Sequence, residues 1–175
     1  SYPTSYIPNH SGGTITRGAD NIEDKTNLST DGILNNYNST AFIHIKKNLS
    51  TSGLTRFLSL NSSVGDNPRI LFYAQNGPSN YSLELQYRVT GQSDVSQTLG
   101  TFNNNSEIKC ALSINNNTIT SYLNGNKIQT STIVQGNDIE KLYLDQVGDI
   151  SHLLSELILF PTALSDADCI TLTTI

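Results

Sequence analysis

From Tyr81 to Val89 the chain alternates with a period of two. Tyr81, Leu83, Leu85, Tyr87 and Val89 fall on one side, and Ser82, Glu84, Gln86 and Arg88 on the other. Successive side chains of a strand point to opposite faces, so this stretch buries its apolar set only as a strand in a sheet with one packed face. The second set should meet solvent or a ligand. The same period recurs where Ala41, Ile43 and Ile45 alternate with Phe42, His44 and Lys46, and it predicts further strands at residues 14–17, 56–60, 69–75, 107–114, 118–123, 127–130, 141–145 and 151–160.

Turn residues separate these runs. Gly65-Asp66-Asn67-Pro68, Asn76-Gly77-Pro78-Ser79 and Asn124-Gly125 are turn sequences, and Asn-Gly between two strands accepts the positive φ of a tight hairpin. The turn-rich residues 20–37 carry no strand signal. Only residues 164–171 suggest a helix, with Ser165 as N-cap and Asp166 and Asp168 near the positive end of its dipole. Many short strands and almost no helix predict an all-β domain, a two-sheet antiparallel β-sandwich of jelly-roll type with one short C-terminal helix; a closed barrel is the alternative. Residues 1–13, with Pro3, Pro8, Gly12 and Gly13, read as a linker from a preceding domain, and residues 14–175 as the sandwich.

A chain of 175 residues suits one core. Only 14% of residues are charged and 36% apolar, with a net charge of −5. The 10 basic residues are scattered rather than gathered into a patch, which is the wrong electrostatics for a phosphate backbone, so nucleic acid is not an expected partner. No apolar run approaches the roughly 18 residues of a membrane span. The sequence has no Met and opens at Ser1-Tyr2-Pro3, which reads as a segment of a longer polypeptide. Cys110 and Cys169 are compatible with a disulfide, but the favoured reading is two buried free thiols, because unpaired Cys behaves as a small core hydrophobe.

Catalysis needs groups placed for attack or proton transfer. The sequence offers no nucleophile elbow, metal-type Cys/His spacing or phosphate loop. Glu140 and Asp145 fall at odd spacing, and Glu84 has no acidic neighbour two or four residues away. His10, His44 and His152 are isolated and receive no role. Asn137, Asp138, Asp145 and Asp149 carry oxygens suited to Ca²⁺, but their spacing matches no calcium loop, so no cofactor is assigned. Binding a glycan instead calls for aromatic faces against sugar C–H surfaces, with amides and charges for the hydroxyls. Tyr73, Tyr122 and Tyr143 fall opposite the apolar sets of their strands and are expected to sit exposed, near Gln75, Gln86, Arg88 and Asp145. These seven residues form the candidate carbohydrate-binding set. Packing of the tyrosines on the helix or on a second layer is the competing expectation.

Two segments carry a resemblance. Tyr2-Pro3-Thr4-Ser5-Tyr6-Ile7-Pro8, followed by Gly13-Thr14-Ile15-Thr16-Arg17-Gly18-Ala19-Asp20, resembles a junction in bacteriophage and prophage tail and virion proteins that leads into a carbohydrate-binding-like module. Residues 155–168, from Ser155-Glu156-Leu157 through Phe160-Pro161 to Asp166-Ala167-Asp168, resemble the closing strand and helix of laminin-G-like, concanavalin A-like jelly rolls, and Ser121-Tyr122-Leu123-Asn124-Gly125 is similar to a hairpin of that fold. Sandwich hydrolases of related architecture carry a Glu-x-Asp-x-(x)-Glu strand; this sequence has none. The resemblance implies an adhesion class and not a ligand; together with the candidate residues, the favoured reading is a non-catalytic domain of a virion or extracellular protein that recognises host-surface glycan or polysaccharide. Its further partners would be other virion or parent-chain domains, with a homo-oligomer on the particle. The alternatives are a carbohydrate-binding accessory domain of a secreted glycoside hydrolase or adhesin, and a structural oligomerisation or decoration domain with no sugar ligand.

Overall fold

The computed structural model describes residues 22–24, 28–29, 31–34, 38–47, 54–62, 69–76, 80–88, 93–103, 106–132, 139–144 and 152–175. They form eleven strands and one helix: β1 (Ile22–Asp24), β2 (Asn38–Lys47), β3 (Leu54–Ser62), β4 (Arg69–Asn76), β5 (Asn80–Arg88), β6 (Val95–Asn103), β7 (Glu107–Asn115), β8 (Thr118–Leu123), β9 (Asn126–Thr132), β10 (Ile139–Leu144), β11 (His152–Phe160) and α1 (Asp166–Thr173). Two sheets result, a six-stranded one in the order β1-β10-β3-β4-β5-β6 and a five-stranded one in the order β11-β2-β7-β8-β9. Every strand pairing within them is antiparallel. The hairpins β3–β6 and β7–β9 are local, whereas the first and last strands of the chain cross back to pair β1 with β10 and β2 with β11. The result is the expected β-sandwich jelly roll.

Alternation decides which side chains meet between the sheets. The six-stranded sheet contributes Leu58, Leu60, Ile70, Phe72, Ala74, Tyr81, Leu83, Leu85 and Tyr87, and the five-stranded sheet Ala41, Ile43, Ile45, Ile108, Cys110, Leu112 and Ile119. In β5 Tyr81, Leu83, Leu85 and Tyr87 of the predicted inward set are buried and Ser82, Glu84, Gln86 and Arg88 are half-buried on the outer side, while Val89 lies outside the described residues. Phe57 and Phe72 pack at the centre with ring centroids 5.7 Å apart. Both are buried because the β3–β4 register shifts between Arg56 and Leu58, so that neighbours Phe57 and Leu58 turn to the same core. The turn at Leu28–Leu34 closes one end: Ile33 and Leu34 both donate to the Leu28 carbonyl, at 2.9 and 3.0 Å, and Leu28 and Leu34 are sealed in the core.

Two strands escape the sequence pattern. β1 lies within the stretch expected to be all turn, and its pairing with β10 at the sheet edge fixes it. β6 is mostly polar, with only Gln97 and Leu99 buried, so it carries no apolar alternation; as the other edge strand it needs little. The strand expected at residues 14–17, the linker over residues 1–13 and the turns at residues 65–68 and 77–79 lie outside the described residues. The Asn124-Gly125 hairpin stands as expected, with φ of 47° and 78°.

Gln97 spans the two sheets. Its amide donates to Ser131 Oγ at 2.6 Å and its carbonyl accepts from Ser121 Oγ at 3.0 Å, with Gln97 only 2% exposed. Gln97→Ala removes both bonds between the sheets and leaves the Ser121 hydroxyl only its longer contact with the Gln129 carbonyl, at 3.4 Å, which should cost about 2 kcal/mol. A fall in Tm of roughly 4–8 °C is expected; calorimetry showing no change would mean that the bridge does not hold the sheets.

Candidate functional site

A sandwich has two outer faces, and this chain uses them differently. On the five-stranded sheet, the residues opposite the core are Phe42, Ala111 and Tyr122, and α1 lies over them with Cys169 to make a second buried cluster. Ser165 caps α1 by accepting from the Asp168 amide at 3.2 Å, as its sequence position predicts, although the helix begins two residues later than expected. Both ends are tied down. Ala163 and Leu164 amides donate to Asn38 Oδ1 and Thr40 Oγ1 at 2.7 and 2.9 Å, and Lys109 Nζ donates to the Thr174 carbonyl at 2.8 Å.

Tyr122 is therefore not the exposed ring expected from strand parity; it is 1% exposed. Parity was read correctly, since Ser121 and Leu123 turn inward, but α1 adds a third layer over that face. The Tyr122 hydroxyl donates to Asp166 Oδ1 at 2.6 Å, and Lys127 Nζ donates to Asp166 Oδ2 at 2.6 Å. Burial pushes the Tyr122 phenol well above its ordinary pKa, reinforced by the hydrogen bond to Asp166. The hydrogen bonds from Lys127 and Tyr122 hold the Asp166 carboxyl below its usual value. A depressed carboxyl adds stability above its unfolded pKa and loses it as pH falls through the folded one. Tm should thus gain an acid-dependent drop below about pH 4, and Asp166→Asn should flatten that part of the profile; an unaltered profile would exclude this contact as its source. Asp168 and Ser165 lie on the same turn, so the comparison is made against Asp168→Asn.

On the six-stranded sheet no helix covers the outer face among the described residues. Adjacent strands bring together half-buried Tyr73 on β4 with Glu84, Gln86 and Arg88 on β5. Arg56 on β3 stands directly opposite Tyr73, which in turn stands opposite Glu84, and Glu84 opposite Thr98 on β6. In the next row Ser59, Leu71, Gln86 and Ser96 follow one another, with Ser59 and Leu71 closed to solvent. Glu84 accepts from Ser82 and, at 3.0 and 3.1 Å, from Thr98. Arg88 grips Asp94 with both Nε, at 2.6 Å, and Nη2. These contacts orient a carboxylate and a guanidinium on one polar surface beside an aromatic ring.

Of the seven candidate residues, Tyr73, Gln86 and Arg88 come together here. Gln75 pairs with Ser82 and Tyr143 with Ser59 in backbone register within the same sheet. Asp145 lies outside the described residues, as do Asn137, Asp138 and Asp149 of the calcium reading. Arg56, Ser96, Thr98 and Asp94 were not singled out from sequence. Arg56 precedes a bulge that hides its parity, and Ser96 and Thr98 lie on the strand without a pattern. Among the described residues, no three His, Cys, Asp or Glu side chains are grouped to hold a metal ion, and no helix is long and apolar enough to cross a membrane.

No protein-family model and no curated sequence matches the chain. Its backbone does match solved structures. The CBM40 module of Ruminococcus gnavus IT-sialidase, bound to α2,3-sialyllactose, superposes with a TM-score of 0.59 at 17% identity, covering 90% of this chain and 97% of that one. A heptameric SAP-like pentraxin from Limulus polyphemus gives 0.57 at 16% identity, over 77% and 68% of the two chains. The binding domain of botulinum neurotoxin serotype D gives 0.59 at 16%, over 79% of this chain and 37% of that one. The shared feature is the fold. At these identities it is the jelly-roll architecture that is common, and residue roles rest on this chain's own geometry.

Proposed function

We propose that this chain is a non-catalytic glycan-binding domain whose binding surface is the outer face of the six-stranded sheet. One observation carries the reading: α1 seals the outer face of the other sheet, while here Tyr73, Arg56, Glu84, Gln86 and Arg88 share one surface across three adjacent strands. A ring for stacking, an amide and oriented charges are the parts a sugar needs. The likeness, over about nine-tenths of the chain, to a sialidase module that is bound to sialyllactose supports this reading and names the first ligands to try. Gln75, Tyr143 and Asp145 extend the surface in this proposal, whereas Tyr122 leaves it.

The setting is proposed as a virion tail or surface protein that engages host-surface glycan, on the strength of the Tyr2–Asp20 junction. Several copies on one particle would multiply a weak single site through effective concentration. The structural neighbours equally support an accessory domain of a secreted enzyme. The test is a glycan array containing α2,3- and α2,6-sialyllactose, lactose and bacterial polysaccharides, followed by titration of the best ligand. Tyr73→Ala should weaken binding about tenfold, as loss of one stacking ring of about 1 kcal/mol or slightly more implies, and leave Tm within a few degrees. An array with no ligand, or full affinity in both Tyr73→Ala and Gln86→Ala, would hand the domain to the structural reading.

A further inference from the structure

We infer that Asn124 is a deamidation site gated by the docking of α1. Asparagine is a thermally labile residue, most of all before glycine, where no Cβ hinders the backbone nitrogen from reaching the side-chain amide carbon. In the reaction the Gly125 amide gives its proton to hydroxide or water, and its nitrogen bonds to Asn124 Cγ. The Cγ–Nδ2 bond then breaks and ammonia leaves a cyclic imide. Water opens the imide at one carbonyl to give aspartate or at the other to give isoaspartate. The departing nitrogen takes a proton from water and so returns the hydroxide; base acts as a catalyst and the net change consumes only water.

The fold holds the two reacting atoms apart. Asn124 Oδ1 accepts from the Lys109 backbone amide at 2.9 Å while the Asn124 backbone N–H donates to the Lys109 carbonyl at 2.9 Å, so the side chain is turned toward β7. The Gly125 amide donates to Thr173 Oγ1 at 3.2 Å, and that hydroxyl donates onward to the Cys169 carbonyl at 2.8 Å inside α1. Thr173 is fully buried. The close fit continues at Thr174, whose Oγ1 lies 3.1 Å from where a Cβ on residue 125 would stand.

The two restraints differ in how they are released. The one from Lys109 belongs to a central strand, whereas the one from Thr173 belongs to an eight-residue helix that takes part in no strand pairing. Undocking α1 thus frees the attacking nitrogen without unfolding the sandwich. Isoaspartate then lengthens the main chain within a two-residue turn and carries the Gly125 amide away from Thr173, so the helix loses its seat. Deamidation would convert a transient opening into a permanent one.

The experiment ages the full chain in mildly alkaline buffer and follows Asn124 by peptide mapping with enzymatic isoaspartate methylation. In urea, Asn124 and the other Asn-Gly pair, Asn76-Gly77, should convert at similar rates. In the folded protein Asn124 should convert at least about tenfold more slowly than in urea, a protection that corresponds to 1.4 kcal/mol or more. Thr173→Val, which keeps the shape and removes the acceptor, should recover several-fold of that rate, and Thr173→Ser should not. Asp166→Asn, which loosens α1 at its other end without touching the turn, should also accelerate conversion and serves should Thr173→Val fail to fold. Equal rates in folded and urea-treated chains would overturn the inference. So would a Thr173→Val or Asp166→Asn variant that ages no faster than the parent.

Discussion

Phe72→Ala should be the most damaging single truncation in this domain, costing about 3–5 kcal/mol and lowering Tm by roughly 6–20 °C. Phe72 is fully buried at the centre of the six-stranded sheet, and its ring meets Phe57 at a 46° interplanar angle. The bulge that places Phe57 there leaves no freedom to slide into the vacated space, because shifting the β3 register by one residue would turn its core side chains to the outer face. Phe72→Leu keeps most of the volume and should cost under about 1.5 kcal/mol. Chemical denaturation of the two variants checks both values. A loss below about 1 kcal/mol for Phe72→Ala would mean that the two sheets do not pack through this pair.

Tyr122→Ala should cost about 3 kcal/mol and leave glycan affinity unchanged, the reverse of the pattern expected for Tyr73→Ala. Tyr122 combines ring burial against Phe42, Ala111 and Cys169 with the hydrogen bond to Asp166, so its removal opens a cavity beneath α1 and frees one end of the helix. Tyr122→Phe separates the two contributions and should lose about 1 kcal/mol, that of the hydrogen bond. If Tyr122→Ala abolished binding without destabilising the fold, the recognition surface would have to be moved to the five-stranded sheet.

The contrast between these two tyrosines shows how far the sequence can be read. Both stand opposite the apolar residues of their strands, and strand parity placed both on the side away from the core. Parity is a local property and was correct for each. What covers the far side is set by the tertiary path of the chain, and nothing within residues 118–123 announces that residues 165–173 return to lie over them. The hairpin at Asn124-Gly125 and the cap at Ser165 were legible because each depends on two or three adjacent residues. β6 was not, because an edge strand gains its order from β5 and needs no apolar face of its own. The candidate surface was half legible. Gln86 and Arg88 follow from the alternation of β5, whereas Arg56 and Thr98 join them only through pairing across the four strands β3 to β6.

Cys110 faces the space between the sheets and Cys169 lies beneath α1 on the far side of the same sheet. Burial pushes both thiols up, Cys169 to about 11. The width of a sheet stands between the sulfurs, so a bridge would require the strand itself to be displaced. The native state can thus form identically in a reducing cytoplasm and in an oxidising exterior. A domain built this way can be assembled inside a cell and work outside it with no redox step between.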